Sequence, residues 1–239
     1  MSDTPATKPR AEVYHRDFSA GLSGKYRCVY DLVPCNSRVL ELGCSTGFFS
    51  EYLAKKCTTV VALDCDPPSV KACQDRGISA FQFDLSSGDI GSFLANQAPF
   101  DAVVAMDVLE HLARPQDLLA RLHRLIARHG RLIVTGPNVA HWHTRWNLML
   151  GRWNYAEGGI MDETHLRWFT RATWRKLLEE SGFEIVVDQV VDSLLPKEYQ
   201  MRTVPGFGSV IDKIKQFSEK VFPNLSAMVF LFCCQPANN

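Results

Sequence analysis

The chain has 239 residues, of which 46% are hydrophobic and 22% charged, so it can bury a core of its own and disorder is excluded. Its 26 basic and 26 acidic side chains cancel, which disfavours a nucleic-acid partner. The longest apolar run, residues 227–234, is too short to cross a bilayer, and the N-terminus lacks the apolar core of a secretory signal. Eight cysteines without a C-x-x-C pair indicate free thiols, so we expect a cytoplasmic, globular protein.

Short apolar runs alternate with helical stretches from residue 38 to 136, a pattern typical of βαβ units and a parallel sheet. The predicted strands are 38–42, 59–63, 80–83, 100–105 and 131–135. The helices predicted between them cover 48–56, run from the N-cap Asp66 to Gly77, and run from Pro115 to Gly130.

The alternation stops after residue 136, where residues 137–169 hold four of the five tryptophans and three of the seven histidines. Thr170 then predicts the start of a helix that ends near Gly182. Later elements are predicted at 183–191, 210–221 and 227–234, as strand, helix and strand. We expect one domain with four parts: an N-terminal helical cover (1–37), a cofactor-binding α/β core (38–136), an inserted lid (137–169) and a C-terminal part (170–239).

A glycine-bearing turn from Glu41 to Gly47 joins the first strand to the first helix. Gly43 permits close approach of a ligand to the backbone, and the following helix N-terminus offers free N–H groups. Asp64 ends the second strand, 21 residues after Gly43, where a carboxylate can accept hydrogen bonds from a ribose diol. Together these features predict a nucleoside-bearing ligand at the carboxyl ends of the strands.

The spacing within the turn argues against a dinucleotide. Gly43 and Gly47 are four residues apart with Ser45 between them, so the G-x-G-x-x-G pattern that admits a pyrophosphate is missing. Glu41 suits a cationic ligand better than a pyrophosphate. S-adenosylmethionine carries both an ammonium and a sulfonium group.

Several segments in combination resemble the ordered motifs of class I S-adenosylmethionine-dependent methyltransferases: VLELGCSTG at 39–47, VALD at 61–64, FDAVVAMD at 100–107, LEH at 109–111, GRLIV at 130–134 and PN at 137–138. The resemblance covers residues 36–190. It implies a Rossmann-like, doubly wound α/β fold with a seven-stranded sheet, mostly parallel with an antiparallel last strand.

The same resemblance implies which residues bind the cofactor. Those on its methionine side would be Glu41, Gly43, Cys44, Ser45 and Gly47. Those on its nucleoside side would be Asp64 at the ribose hydroxyls, Asp84 and Leu85 at the adenine, and Met106 over the cofactor. Serine at position 45 departs from the glycine that many members carry.

Asp107, Glu110 and His111 follow the fourth strand at a spacing that places them on one side of a helical turn. Two carboxylates and an imidazole suit a divalent ion such as magnesium or manganese. The run resembles the E-x-x-E-H site of ubiquinone-biosynthesis and small-RNA 3′-end O-methyltransferases, although aspartate at 107 has the shorter reach. Resemblance to the RNA enzymes adds His165, which precedes Phe-Thr-Arg at 169–171.

Three roles for this group stay open at the level of the sequence. In the first, the group formed by Asp107, Glu110, His111 and His165 holds a metal ion. In the second, one of the two histidines acts as a metal-free base beside Asp107. In the third, the side chains are structural. The lid aromatics leave a similar choice, since Trp142, Trp146, Trp153, Tyr155 and Trp168 either wall an acceptor site or pack the lid onto the sheet.

We therefore predict a methyltransferase that acts on a small-molecule acceptor, at a hydroxyl group. One alternative is a non-enzymatic, methyltransferase-like regulatory subunit that docks a partner through residues 197–223. Another is an NAD(P)-dependent oxidoreductase, which the glycine spacing disfavours. No apolar stripe is surplus to the predicted core, so the sequence predicts no oligomeric state.

Overall fold

The computed structural model describes residues 21–193 and 208–237. In these ranges seven strands form one sheet: Arg38–Leu42 (β1), Thr59–Asp64 (β2), Ser79–Gln82 (β3), Phe100–Met106 (β4), Ile126–Pro137 (β5), Phe183–Ser193 (β6) and Ala227–Pro236 (β7). Their order is β3-β2-β1-β4-β5-β7-β6. Strand β7 runs antiparallel to β5 and β6, while β1 to β5 pair in parallel. The predicted doubly wound α/β sheet with an antiparallel last strand is confirmed.

Helices cover both faces of this sheet. The helices are Gly24–Leu32 (α1), Phe48–Ala54 (α2), Pro67–Asp75 (α3), Ile90–Phe93 (α4), Pro115–Leu125 (α5), Trp142–Met149 (α6), Arg171–Glu180 (α7), Gly208–Val221 (α8) and Pro223–Ser226 (α9). Side chains of α1, α2 and α3 pack on one face, and those of α4, α5 and α7 pack on the other. Because both faces are buried, the central strands are continuous apolar runs rather than alternating ones.

Local signals set the ends of these helices. The Asp66 carboxylate accepts a hydrogen bond from the Ser69 N–H at 3.0 Å and caps α3, with proline in the first turn. Thr170 caps α7 in a capping box with Thr173. Gly77 follows α3 with a φ of 78°, a left-handed conformation that glycine adopts without strain.

The end of α5 differs from the prediction. The helix stops at Leu125 and β5 begins at Ile126, so Gly130 lies inside the strand and does not end the helix. The pairing of β5 with β4 shifts register between Phe100 and Ala102. A Cβ at Gly130 would lie 3.0 Å from the Phe100 carbonyl oxygen. Glycine at this position therefore serves the close approach of two strands, which helix signals do not reveal.

Residues 137–169 contain α6 and a short bridge between Ala156 and Asp162. The N–H groups of Leu166 and Arg167 donate to the Glu110 carbonyl at 2.9 and 3.0 Å, which ties this segment to the end of β4. The first 20 residues of the predicted cover, and residues 197–207 of the predicted docking segment, lie outside the described residues. None of the helices described is long and apolar enough to span a membrane.

Candidate active site

A cavity of about 930 Å³ lies at the carboxyl ends of β1 and β4. The strand order reverses between these two strands, which is where doubly wound sheets bind ligands. Its walls come from the turns after β1 and β4, the ends of β2 and β3, helix α1 and the segment 137–169. The volume suits a nucleoside cofactor together with a small acceptor.

The turn after β1 exposes its backbone to the cavity through left-handed residues. Gly43, Ser45 and Gly47 have φ values of 69°, 48° and 79°. A Cβ at Gly43 would lie 2.8 Å from Val108 Cγ2, so the turn also needs glycine there for packing against the β4 turn. Ser45 adopts a left-handed conformation that glycine accepts more readily, at some cost in strain.

The predicted cofactor residues gather on this wall, with Gly47 set apart. Gly47 faces α3 instead, where a Cβ would lie 2.6 Å from Cys73 Sγ. It therefore serves the packing of the turn onto α3. The predicted residues that line the cavity are Glu41, Gly43, Cys44, Ser45, Asp64, Asp84, Leu85 and Met106.

Asp64 is held in place at the end of β2 by two backbone donors. The Ser45 N–H donates to Oδ2 at 2.8 Å, and the Asp66 N–H donates to Oδ1 at 3.0 Å. Each carboxylate oxygen keeps a further lone pair for another donor. The group is thus positioned to accept two hydroxyl hydrogen bonds from a ribose.

Glu41 is a buried carboxyl group on the same wall, with 2% of its surface exposed. The Ser50 hydroxyl donates to Oε2 at 2.5 Å. Burial raises the pKa of Glu41 to about 8, so the group is mostly protonated at neutral pH in the free protein. A cationic ligand beside it would favour the carboxylate form.

The spacing in the sequence predicts that Asp107 shares a helical turn with Glu110 and His111. In the structure it does not. It has a φ of 53° and precedes a 3-10 turn that spans only Leu109–His111. The Thr135 hydroxyl donates to Asp107 Oδ1 at 2.9 Å, and the Lys25 ammonium donates to Oδ2. These contacts direct the Asp107 carboxylate toward β5 and α1.

Glu110, His111 and His165 do come together, with one ligand atom from each lying within 4.8 Å of the others. Glu110 is completely buried, and among the described residues both of its carboxylate oxygens are without a hydrogen-bond partner. Burial, with the nearby Asp107 charge, raises the pKa of Glu110 well above its usual value. An unpaired buried carboxyl group beside two imidazoles is a donor set that a cation would satisfy.

Both histidine rings are oriented by backbone carbonyls. His111 Nδ1 lies 3.3 Å from the Thr164 carbonyl oxygen, and His165 Nδ1 lies 3.2 Å from that of Ile160. If each Nδ1–H donates to its carbonyl, each Nε2 keeps its lone pair for a metal or a proton. Burial lowers the pKa of both rings, which favours the neutral form.

Lys25 is a site residue that sequence reasoning missed. It lies on α1, lines the cavity and pairs with Asp107 across 82 residues of chain. Burial lowers the pKa of Lys25, but the Asp107 carboxylate, together with Tyr26 and Asp192, outweighs burial, so the pKa is raised. Nothing in the sequence around residue 25 signals this role, because the partner is fixed only by the fold.

The five lid aromatics lie outside the cavity wall. Trp146 and Tyr155 are 55% and 56% exposed, and Trp153 contacts Trp168 with ring centroids 5.7 Å apart. The Trp142 ring contacts the rings of His141 and His143. The apolar residues that do line the cavity include Ile160, Leu166 and Met228.

Comparisons with known proteins agree with this geometry. Residues 17–187 match the family model described as a methyltransferase domain. A ubiquinone biosynthesis O-methyltransferase from Xylella fastidiosa (strain 9a5c) is 38% identical over 104 residues, 43% of this chain and 42% of the relative. The chain thus matches less than half the length of that curated relative.

Solved structures resemble most of the chain at low identity. A SAM-dependent methyltransferase from Archaeoglobus fulgidus superposes with a TM-score of 0.60 at 19% identity, covering 88% of this chain and 90% of its own. A putative methyltransferase from Bacillus halodurans C-125 also gives 0.60, at 17% identity, covering 90% of this chain and 99% of its own. At these identities the likeness shows a shared fold.

Proposed function

The chain belongs to the class I S-adenosylmethionine-dependent methyltransferases, and from this premise we propose that it methylates a hydroxyl group of a small-molecule acceptor. The observation that carries the proposal is a single cavity that joins the residues suited to the cofactor with the cluster of Glu110, His111 and His165. A hydroxyl acceptor must lose a proton, and this cluster offers groups that can take it or lower its pKa. The name of the Xylella relative, an O-methyltransferase, supports oxygen as the methylated atom.

In the proposed mechanism the cofactor is held by side chains of the first two strands. Glu41 would balance the charge of the ammonium group, and Asp64 would accept hydrogen bonds from the ribose hydroxyls. Bound S-adenosylmethionine supplies an electrophilic methyl group. The protein contributes alignment of the acceptor and exclusion of water, since methyl transfer needs no covalent enzyme intermediate.

We propose His111 as the residue that removes the acceptor proton, with Thr164 orienting the ring from the Nδ1 side. His111→Ala is expected to slow methyl transfer about 100-fold, while the dissociation constant for S-adenosylhomocysteine changes less than about twofold. His129→Ala, at an exposed histidine of β5, is the matched control. Equal activity of the two variants would remove His111 from the mechanism.

As the alternative to His111 acting as a base, we propose that Glu110, His111 and His165 hold a divalent cation such as magnesium or manganese, in which case His111 Nε2 binds the ion and does not take the acceptor proton. The buried, unpaired Glu110 carboxyl group fits this role. The ion would act as a Lewis acid on the acceptor oxygen. Asp107 then serves as a positioning residue through Thr135 and Lys25. Loss of activity in chelator and recovery with either metal would support the site; indifference to chelator leaves His111 as a metal-free base.

We place the enzyme in the cytoplasm, because all eight cysteines are free thiols in the structure. The decisive test of the proposed function is calorimetric titration with S-adenosylhomocysteine and with NAD, followed by turnover on paired hydroxyl and amine acceptors. Binding of the homocysteine product alone, and a methyl ether as reaction product, are expected. Binding without any turnover would favour a regulatory subunit, and an N-methyl product would contradict the proposed acceptor.

A further inference from the structure

The segment that follows β5 carries an apolar surface that is not used in the cavity. We call it the lid ridge and define it as Trp146, Leu148, Met149, Leu150, Trp153 and Tyr155. Thr144 is the buried residue of α6, so this helix turns its large apolar side chains outward. Met149 is 75% exposed. Concentrated exposure of this kind marks an interaction surface rather than scattered surface residues.

Hydrogen bonds and a ring contact support the backbone of the lid ridge. At the end of α6 the Leu150 N–H donates to the Trp146 carbonyl at 3.2 Å, and the Arg152 N–H donates to that of Asn147 at 2.9 Å. Trp153 is held against Trp168. The apolar side chains are therefore presented on a fixed backbone.

The charged residues between positions 142 and 155 are all basic, and the next acidic residue along the chain is the exposed Glu157. The basic residues are Arg145 and Arg152, and both are exposed. Tryptophan, tyrosine and leucine beside arginine are the residues that bind at the boundary between water and lipid. Arginines near an anionic surface add electrostatic attraction.

The lid ridge is followed directly in the chain by residues that line the cavity. Tyr155 is followed by the Ala156–Asp162 bridge, and Gly158 and Gly159 within that bridge line the cavity. Leu166 both lines the cavity and is 53% exposed, so it lies at the rim of the cavity.

We propose that the lid ridge binds the surface of an anionic lipid bilayer, with the apolar side chains in the interface and the two arginines at the headgroups. The cavity opening then faces the membrane, so an acceptor with a lipid tail reaches the cavity without leaving the bilayer. Only this statement about the acceptor rests on the proposed function; bilayer binding itself does not require methyl transfer.

The test is co-sedimentation of the full chain with vesicles of phosphatidylcholine alone and of phosphatidylcholine mixed with phosphatidylglycerol. The chain is expected to bind the mixed vesicles and to dissociate as salt rises. The double variant Trp146→Ala, Met149→Ala is expected to bind at least about tenfold more weakly. Its dissociation constant for S-adenosylhomocysteine should be unchanged, which shows that it folds.

Ile214→Ala, Phe217→Ala is the matched control, since it removes two exposed apolar side chains from α8. This control is expected to keep full binding. Equal loss in both double variants, or no binding of the wild type to mixed vesicles, would overturn the proposal. So would a dimer in sedimentation equilibrium that the lid-ridge variant abolishes without any vesicle binding. Failure of S-adenosylhomocysteine to bind contradicts the proposed function alone.

Discussion

At the scale of single residues, the proposed role of Glu41 beside the ammonium group predicts that cofactor binding depends on pH. Its pKa of about 8 in the free protein means that a cationic ligand binding near pH 7 must expel a proton from it. We expect affinity for S-adenosylhomocysteine to rise by at most about tenfold per pH unit up to pH 8, and then to level off. Calorimetry in buffers of different ionisation enthalpy measures the released proton directly. Glu41→Gln should bind more weakly and show neither the slope nor the proton.

The free energy of unfolding of the free protein should fall with pH, whereas affinity for the ligand rises. The pKa of Glu41 is raised from a normal value of 4.5, so its contribution to stability is complete below about pH 4.5 and is lost as pH rises through 8. Glu41→Gln should therefore gain stability relative to the wild type at pH 9. Cys73 and Asp64 also face Glu41, and both remain in the variant. A constant difference in free energy between pH 6 and pH 9 would contradict this account.

Substitutions of Ser45 measure how much backbone strain the turn from Glu41 to Gly47 tolerates. Its φ of 48° is a left-handed conformation that glycine accepts freely and β-branched residues resist. Ser45→Gly should stay within about 1 kcal/mol of wild-type stability, whereas Ser45→Val should lose about 2 kcal/mol.

Thermal unfolding measures both Ser45 variants, with Ser79→Val in the edge strand β3 as the control at an extended position. Equal stability of Ser45→Val and the wild type would mean that the left-handed turn is not maintained in solution.

Residues within one short motif could be placed from the sequence, and residues joined only by the fold could not. The turn from Glu41 to Gly47 and the position of Asp64 follow from a strand, a turn and a helix that are adjacent in the chain. Gly47 was assigned to the ligand, but its close neighbour is Cys73 on another helix. The spacing predicts that Asp107 lies on a helical turn, whereas in the structure its backbone has a left-handed conformation.

At the scale of elements, a partly buried ion pair joins helix α1 to the site. Lys25 reaches Asp107 at the end of β4, and Asp192 of β6 adds a second negative charge nearby. Lys25→Met keeps the length of the side chain but removes the ammonium donor, so that of these two donors the Asp107 carboxylate keeps only the Thr135 hydroxyl. We expect faster amide exchange across α1 and about tenfold weaker binding of S-adenosylhomocysteine.

Lys55→Met is the control for α1, because Lys55 pairs with Glu51 on the exposed surface of α2. This variant should change neither amide exchange nor binding. If α1 exchanges at the wild-type rate in Lys25→Met, the ion pair does not hold the helix.

Element boundaries could be predicted where caps set them. Asp66 and Thr170 are local signals, and α3 and α7 begin where these residues indicate. The start of β5 could not be predicted, because residues 126–130 become strand through irregular pairing with β4. Helix α6 carries its apolar residues on the exposed side, so helical periodicity directed toward a core gives no signal there.

At the scale of the whole molecule, the alternation of strands and helices predicted the sheet, because parallel strands with right-handed crossovers leave few possible topologies. The site follows from that topology in part. Strand order brings the ends of β1, β2 and β4 together, whereas the partners of Glu110 arrive from a segment that has little regular structure. His165 was therefore placed only by resemblance, and its distance from Glu110 required the fold.

The cofactor should stabilise the fold as a unit, because its site spans residues from the first strand to the fourth. Ligand at a hundredfold excess over its dissociation constant adds about 2.7 kcal/mol, or about 6 °C in Tm for a chain of this size. Asp64→Ala removes the ribose contact, and its Tm should need about tenfold more S-adenosylhomocysteine to rise by the same amount. Asp101→Ala, at an acidic residue of β4 that binds the Arg38 N–H away from the cavity, should respond as the wild type does. An unchanged ligand response in Asp64→Ala would mean that the cofactor lies elsewhere in the fold.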